Sequence, residues 1–496
     1  MKNSIYSSRS QILNEKFEGV KDLSKLMIVG IDYAKSEHTV IVTSGNGEHL
    51  QRKPLRIFNT SKGFDFLLQK IEKLTTKYKI LKNNIIIAIE DPPPYLVNFL
   101  YKLQKNGYYI VKVNPGEAKK FRNNSRASSD TIDANGIVQA VINRKGYDWE
   151  QDNAIYDALK NFSRQRENAV IEKSKLKNKI HNSINILFPH YTTFYKSFDP
   201  FSAFSIELLK KDFSVEKIKK MRLKMIEKKM QKYGIPSYKE KAKQLKELAE
   251  HTLSPPPEIV FNKSKELSCF INSFLTVENN IKEYENLLAI NLVQTEGFYL
   301  TSIPAIGIVR AASLLGEYGA PHKWKDADKI MSYAGLACRE NQTGGSNKPA
   351  IKLGLPWDAN KHLKNTLLQT AYGLGLYKHP AGKIHPCFEE HRLYKKYHQI
   401  KNNGGCPGLR TAKLLVKIII QMFKSETVYA YEGSNFELEE KMAYYTAVDE
   451  MLNNKWRKYN LSDIPDDKKY TEKWKEKLIE LKSITTIVHN AFNSKK

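Results

Sequence analysis

Four acidic side chains have types and spacings that suit the cleavage of phosphodiester bonds. Asp32 and Glu90 each come directly after a run of apolar residues, and Asp130 and Asp133 are three residues apart. On a helix that spacing places both on one face, although Asp130 could equally cap the helix. Cleavage requires an activated water and neutralisation of charge at phosphorus, which two divalent cations about 4 Å apart supply together. Mg²⁺ needs oxygen ligands, so clustered carboxylates indicate a site for two such ions.

The second carboxylate of the set is ambiguous in the sequence alone. Asp91 stands beside Glu90 and precedes three prolines; we take Glu90 as the ligand and Asp91 as its neighbour. Lys35 and His38 follow Asp32 closely. The preferred interpretation is that both are solvated, and contact with phosphate or with the attacking water is the alternative.

These carboxylates require a sheet that brings strand ends together. Apolar runs and helical periodicity predict five strands and one amphipathic helix, in the order 27–31, 39–42, 55–58, helix 64–74, 85–89 and 109–113. Three strands, a helix and a strand is the order of the ribonuclease H fold. Adjacent strands would then bring Asp32 and Glu90 to one edge of the sheet.

The rest of the chain is predicted to be mainly helical. Helical spacing of apolar residues runs from about 151 to 295, with breaks at Phe188-Pro189 and at Ser254–Pro257, and a second long helix is expected over 263–291. The expected organisation is a polar extension at 1–26, a ribonuclease-H-like (RuvC) α/β domain at 27–150, a helical coiled-coil arm with an insert at 151–297, a mostly α nucleic-acid-binding domain at 298–430, and a charged helical tail at 431–496.

The charge of the chain favours nucleic acid as its partner. Its 496 residues include 80 Lys and Arg against 53 Asp and Glu, a net charge of +27. Such a charge suits a polymer that repeats a negative charge. An anionic membrane surface is the alternative, but the sequence shows no apolar run of about 18 residues and no signal peptide. We therefore expect a cytoplasmic protein, prokaryotic or viral and associated with the nucleoid.

Three basic segments are candidate nucleic-acid contacts. They contain Lys119, Lys120 and Arg122, then Lys361 and Lys364, then Arg392, Lys395 and Lys396. The last also carries aromatic rings that could stack on bases. A solvated helix face explains the first and third nearly as well, whereas nucleic-acid contact is preferred for the second. The four cysteines are too scattered for a zinc motif and are expected to be reduced thiols.

Several motifs together resemble those of the DEDD insertion-sequence transposases, which are the bridge-RNA-guided recombinases and their invertase relatives. The matching segments are Gly30-Ile31-Asp32-Tyr33-Ala34-Lys35, Glu90, Val113-Asn114-Pro115, Asp130-x-x-Asp133-Ala134, Leu187-Phe188-Pro189, Ile303-Pro304-x-Ile306-Gly307, Ser332-Tyr333-Ala334-Gly335-Leu336, and Lys361-His362-Leu363-Lys364 leading to Ala371. The resemblance covers roughly 27–189 and 296–430.

This resemblance implies a RuvC-like nuclease domain, a coiled-coil arm used in dimer contact, and a C-terminal transposase domain that binds RNA and DNA. The expected cofactor is a pair of Mg²⁺ ions, for which Mn²⁺ can substitute, held by Asp32, Glu90, Asp130 and Asp133. The expected partners are a guide RNA, a double-stranded DNA target and a second copy of the chain. No membrane partner is expected.

One position departs from the family pattern. In that family a serine followed by glycine, shortly after the Tyr-Ala-Gly-Leu stretch, attacks the DNA backbone; the matching dipeptide here is Thr343-Gly344. The extra methyl of threonine stiffens its side chain and crowds the approach to phosphorus. Ser346 is the less favoured substitute, and a flexible polar loop over 342–347 is the non-catalytic interpretation.

Three functional hypotheses follow. Because of Thr343 and the long 190–295 segment, the leading one is RNA-guided, metal-dependent DNA cleavage, as in the RuvC-containing nucleases associated with tandem interspaced guide RNAs, which resemble these transposases. The close alternative is RNA-guided transposition through a hydroxyl nucleophile. The third is a non-catalytic RNA-binding scaffold, against which the four intact carboxylates argue.

Overall fold

The chain forms two compact units, Met1–Gln151 and Asp152–Lys496, in a computed structural model. The structure describes residues 10–90, 96–122, 129–149, 154–192, 198–303, 305–324, 326–337, 340–341, 351–352, 354, 356, 359–376, 392–426, 429, 456, 459 and 461. The expected division of the chain into five parts stays a prediction.

The N-terminal unit is built on a six-stranded mixed sheet. Its strands are β1 (Met27–Tyr33), β2 (Glu37–Ser44), β3 (Leu55–Phe58), β4 (Ile85–Glu90), β5 (Tyr109–Val113) and β6 (Tyr147–Trp149). They lie in the order β3-β2-β1-β4-β5-β6. Strands β1, β4 and β5 are parallel to one another, and the other pairs are antiparallel. This mixed α/β arrangement is consistent with the ribonuclease-H-like fold.

Five helices cover the two faces of this sheet. They are α1 (Gln11–Glu18), α2 (Ser61–Tyr78), α3 (Val97–Lys105), α4 (Pro115–Lys120) and α5 (Asp130–Ile142). Side chains alternate between the faces along a strand. The face that carries Ile31 and Ile89, here called the Ile31 face, packs against α2 and α3. The opposite face carries Ile28, Ile86 and Ala88 and packs against α1, α4 and α5; we call it the Asp32 face.

The polar extension expected over 1–26 contains helix α1. Ser10 caps the helix by accepting a hydrogen bond from the Leu13 backbone, and Leu13 and Phe17 are buried on the Asp32 face. The Ser10 hydroxyl also donates to Asp148 of β6 at 2.6 Å. Two buried residues one turn apart are too short a pattern to predict a helix from periodicity, so this helix was not expected.

The second unit is mostly helical and starts with two long helices, α6 (Ala154–Leu187) and α11 (Pro257–Leu292), which pack side by side. Between them lie α7 (Ala203–Leu209), α8 (Val215–Lys220), α9 (Leu223–Lys232) and α10 (Tyr238–His251). These four helices share one hydrophobic core with the long pair. The predicted pairing and helical insert are therefore present, whereas coiled-coil geometry stays a prediction.

The remaining helices of this unit are α12 (Ile308–Tyr318), α13 (Ala327–Tyr333), α14 (Lys361–Gly375), α15 (Arg392–Asn402) and α16 (Pro407–Ser425), with a short antiparallel pair, β7 (Glu340–Asn341) and β8 (Ile351–Lys352). Their core includes Tyr156 of α6 and Leu292 of α11, so the ends of the long helices belong to it. Trp456, from the segment expected to be a charged tail, is buried there as well.

Within the described part of the chain, no helix is both long and hydrophobic enough to cross a membrane. Cys269 and Cys406 are exposed free thiols, as expected, while Cys338 and Cys387 lie outside the described residues.

Candidate active site

Asp32 and Glu90 lie on neighbouring strands at one edge of the sheet. The parallel register pairs Ile31 with Ile89, so the two acids follow the last paired residues of β1 and β4. Ile31 and Ile89 point into the Ile31 face, and alternation therefore directs the next residues to the Asp32 face. This geometry supports the choice of Glu90. Asp91 lies outside the described residues.

Helix α5 brings Asp130 and Asp133 to the same face. Ser129 caps this helix by accepting from the Ile132 backbone, and both acids lie in its first turn. The partial positive charge of a helix N-terminus stabilises carboxylates there. Asp130 is mostly exposed, whereas Asp133 is largely buried.

The close approach of α5 to β1 depends on Gly30. A Cβ at Gly30 would lie 2.3 Å from Cγ2 of Val138 and 3.0 Å from the Ala134 carbonyl oxygen. Both atoms belong to α5, one and two turns after Asp130. The absence of a side chain at Gly30 thus allows α5 to set its first turn beside Asp32.

We predict that Gly30→Ala displaces α5 and lowers the free energy of unfolding by about 1 to 3 kcal/mol through overpacking. Any activity that depends on the four carboxylates should fall at least about tenfold, because small displacements of reacting groups are costly. Gly30→Ala combined with Val138→Ala removes the nearer clash and should recover part of both. Val138→Ala alone is the control for the lost methyl groups. Equal damage in Gly30→Ala and the double variant would contradict the packing argument.

Arg122 lies between two of the four carboxylates. Its Nη2 is 3.3 Å from Oε1 of Glu90, and its Nε is 3.0 Å from Oδ1 of Asp133. Gly136 gives it room, since a Cβ there would lie 2.9 Å from Cγ of Arg122. The sequence proposed Arg122 as a nucleic-acid contact; the structure directs its charge to the site carboxylates. A second arginine, Arg56, contacts Asp130 at 3.4 Å.

The ionisation of Asp32 is affected by its burial and by its acidic neighbours. Burial, together with repulsion from Asp133, Asp130 and Glu90, raises the pKa of Asp32 to about 6, and the attraction of Arg122 only partly opposes this. Four acids and two arginines leave a net charge of −2 in this group. The cluster therefore concentrates more negative charge than its own cations neutralise.

Such a cluster fits hard cations in its chemistry. All the donors are carboxylate oxygens, which Mg²⁺ and Mn²⁺ prefer, and a bound cation would relieve the repulsion that raises the pKa of Asp32. As the side chains stand, however, no three acidic, His or Cys residues of the described segments are close enough to form a ready cage.

His38 is excluded from the site, so both interpretations considered for it are wrong. Its side chain is completely buried and contacts the edge of the Phe99 ring at a centroid distance of 5.1 Å. It shares the Ile31 face with Val40, so it points away from Asp32. Lys35 is exposed in the turn between β1 and β2, as the preferred interpretation requires. Lys119 and Lys120 are also exposed, and Lys120 pairs with Glu117.

The basic candidates of the second unit lie on two helices. Lys361 is exposed and Lys364 half-buried in the first turn of α14. On α15, Lys395 and Lys396 are exposed, whereas nothing is described of the Arg392 side chain. Tyr397 of the same helix is buried against Gly375 and is not available for base stacking.

Thr343, Gly344 and Ser346 lie outside the described residues, between the paired strands β7 and β8.

Glu317 is a buried carboxylate that was not predicted as a site residue, and it is the centre of a hydrogen-bond network in the second unit. Glu317 of α12 accepts hydrogen bonds at 2.7 and 2.8 Å from Nε and Nη2 of Arg164 on α6. The Asn360 amide donates both to Glu317, at 2.8 Å, and to the Tyr333 hydroxyl, at 3.1 Å. Asn360 also caps α14 by accepting from the Leu363 backbone. This network joins Tyr333 to the start of α14.

Two family models match the chain. Residues 29–189 match the DEDD transposase model of the IS110 type, and residues 298–382 match the transposase model of the IS116/IS110/IS902 family. The first match contains all four carboxylates, and the second contains Thr343, Ser346, Lys361 and Lys364. The helical insert lies outside both. A comparison with curated proteins gave no match.

Proposed function

Because this chain belongs to the DEDD-type IS110 family of transposases, we propose that it breaks and rejoins DNA strands with the carboxylates of its first unit and a hydroxyl of its second, at a target selected by a guide RNA. The observation that carries this proposal is the convergence of Asp32, Glu90, Asp130 and Asp133 on one edge of the Asp32 face. A scaffold without catalysis would have no use for four acids that repel one another in the folded state.

Bound Mg²⁺ ions would supply charge neutralisation at the scissile phosphate. Asp32, Glu90, Asp130 and Asp133 would hold them. Arg122, which contacts Glu90 and Asp133, would hold these acidic side chains together and would contact the phosphate backbone of bound DNA, since arginine binds phosphate well.

The hydroxyl of Thr343 is the proposed nucleophile. Its oxygen would form a bond to phosphorus as it loses its proton, the bond from phosphorus to the leaving nucleotide oxygen would break, and that oxygen would take up a proton. The result is a DNA strand covalently linked to the protein, which a second strand can resolve by the reverse reaction. Thr343 follows the described strand β7 by two residues.

We predict that Thr343→Ala abolishes the protein-linked DNA intermediate, whereas Thr343→Ser preserves or increases it because the crowding methyl is removed. The complex is purified with its co-expressed RNA, the RNA is sequenced, and matching DNA is added with Mg²⁺. Covalent adducts are counted on denaturing gels. Ser346→Ala is the matched control. If Ser346→Ala lost the adduct and Thr343→Ala kept it, Ser346 and not Thr343 would be the nucleophile.

RNA-guided cleavage is the second candidate function. It is favoured by the threonine in place of the family's serine and by the insert that neither family model covers. In the same experiment, free DNA ends that survive both Thr343→Ala and Ser346→Ala but not Asp32→Ala would establish it. Cleavage that persists after ribonuclease treatment would contradict RNA guidance under either hypothesis.

A further inference from the structure

Helix α2 carries a row of cations on the side turned away from the sheet. At 3.6 residues per turn its members fall within an arc of about 80°. This lysine row consists of Lys62, Phe66, Lys70, Lys73 and Lys77. All are exposed except Lys70, which is half-buried, and Phe66 is an aromatic ring left 41% exposed. The buried side of α2, with Phe64, Leu67 and Ile71, packs on the Ile31 face.

Local interactions do not account for these charges. Within the part of the chain that the structure describes, none of the four lysines has a carboxylate within ion-pair distance; Lys70 lies over the Phe66 ring at 5.0 Å and Lys77 over the Tyr78 ring at 4.8 Å. Lys62 stands in the first turn, where the helix dipole disfavours a cation and no acidic residue compensates. The helix dipole thus disfavours the charge of Lys62, whereas it favours that of Lys77 in the last turn.

An ordinary solvated helix of this chain shows a different pattern. On α10 the same arc of the exposed side carries Lys239 and Lys243 but also Glu247 and Glu250. Mixed signs keep a surface soluble without building a field of one sign. Within its arc the lysine row carries positive charge only, with the exposed acids Asp65 and Glu72 beside it. A continuous row of one sign is typical of a surface that meets a polyanion.

We propose that the lysine row binds the phosphate backbone of duplex DNA. From Lys62 to Lys77 the row extends about 22 Å along the helix axis, which is about the axial rise of six base pairs of B-DNA. Because each DNA strand winds around the duplex axis, the row meets only the phosphates on the near side of the duplex. The choice of DNA over RNA rests on the proposed function, since the family acts on DNA.

This surface is separate from the candidate active site. Helix α2 covers the Ile31 face, whereas α5 and the acidic side chains are on the opposite face of the sheet. The lysine row therefore contacts a DNA segment away from the scissile phosphate. Its role is to hold the duplex in register, which fixes position without reading sequence.

The test removes three exposed lysines of the row in the full-length protein, as Lys62→Gln, Lys73→Gln and Lys77→Gln together. The control removes the same charge from α10, as Lys239→Gln, Lys241→Gln and Lys243→Gln. Binding of a labelled DNA duplex and of an RNA duplex of the same sequence is measured by fluorescence anisotropy over a series of salt concentrations, with thermal denaturation to verify folding.

The row variant should bind the DNA duplex about 10- to 100-fold more weakly at about 0.1 M salt. The slope of its log Kd against the logarithm of the salt concentration should be smaller by about 2 to 3, because binding with fewer phosphate contacts releases fewer counterions. The control should match the wild type. Equal binding by the row variant and the control would overturn the proposal while leaving the proposed function intact. A loss confined to the RNA duplex would overturn the choice of DNA. Absence of DNA binding by the wild-type protein would overturn both.

Discussion

Replacing Asp32 by asparagine is expected to abolish DNA strand breakage and, without divalent cations, to raise the free energy of unfolding at pH 7 by about 1 kcal/mol, since solvent screens part of the charge of this half-buried group. The gain arises because the ionised Asp32 is half-buried and is repelled by Asp133, Asp130 and Glu90. Asparagine has nearly the same shape and lacks the charge. A site residue whose removal stabilises the protein is one retained for function rather than for folding.

The pH dependence of this effect has a definite sign. The pKa of Asp32 is about 6 in the folded protein against 3.8 ordinarily, so between these values the folded state binds more protons than the unfolded state. Stability through this group therefore falls as pH rises from about 4 to about 6 and then stays lower. Asp32→Asn removes that fall, and the difference between the two proteins should vanish near pH 4.

Added cations should reverse the order of stability. Mg²⁺ or Mn²⁺ bound to the folded state should raise the free energy of unfolding of the wild-type protein, by about 2.7 kcal/mol at a cation concentration a hundred times Kd. The stability of Asp32→Asn should respond only weakly to the cations. Thermal denaturation with and without cations measures this, and Asp65→Asn, at an exposed acid on α2, is the control. An Asp32→Asn protein less stable than wild type without cations, or equally stabilised by them, would show that the carboxylates do not form a cation site.

The sheet and its acids could be predicted because the signals are local. Buried strands such as Ile85–Glu90 are continuous apolar runs, and a run that ends in an acid marks a strand end at a polar site. Once β1 and β4 were expected to be neighbours, Asp32 and Glu90 followed. Alternation across the pleat, which only the register reveals, is what favours Glu90 over its neighbour.

Other features depend on contacts between distant segments. Arg122 was recognised as a cation, but its placement between Glu90 and Asp133 depends on how α4 and α5 cross. His38 is a polar residue in a strand, and its burial against Phe99 is decided by α3, more than 50 residues along the chain. Pairing of Glu317 with Arg164 spans 153 residues. No periodicity encodes such pairs.

The ranking of the two enzymatic hypotheses changed with the family matches. The sequence placed guided cleavage narrowly ahead of transposition because of Thr343, whereas the matches to two transposase models favour the transposase. Threonine keeps the hydroxyl that a covalent intermediate needs and differs from serine by one methyl group. One substitution of that kind weighs less than a match that extends over both halves of the catalytic body.

Arg164→Ala is expected to destabilise the second unit by about 3 kcal/mol or more, since it leaves the completely buried carboxylate of Glu317 without its charged partner. Burial by itself would raise the pKa of Glu317, but the hydrogen bonds from Arg164 and Asn360 outweigh it and lower the pKa. The wild-type stability from this group is therefore present above the ordinary carboxyl pKa and lost as pH falls through the lowered one.

Arg164→Ala should also lower the yield of the covalent DNA adduct at temperatures where the second unit stays folded. The reason is that Asn360 links Glu317 to Tyr333 and to the first turn of α14. Arg164→Met with Glu317→Leu is the matched control: it removes both charges together and should recover much of the stability. The double variant should nonetheless remain defective in forming the covalent DNA adduct, since the anchor of Asn360 is gone. Thermal denaturation and adduct yield separate the two effects. Full recovery of adduct formation in the double variant would show that Glu317 supports the fold alone and does not position the nucleophile segment.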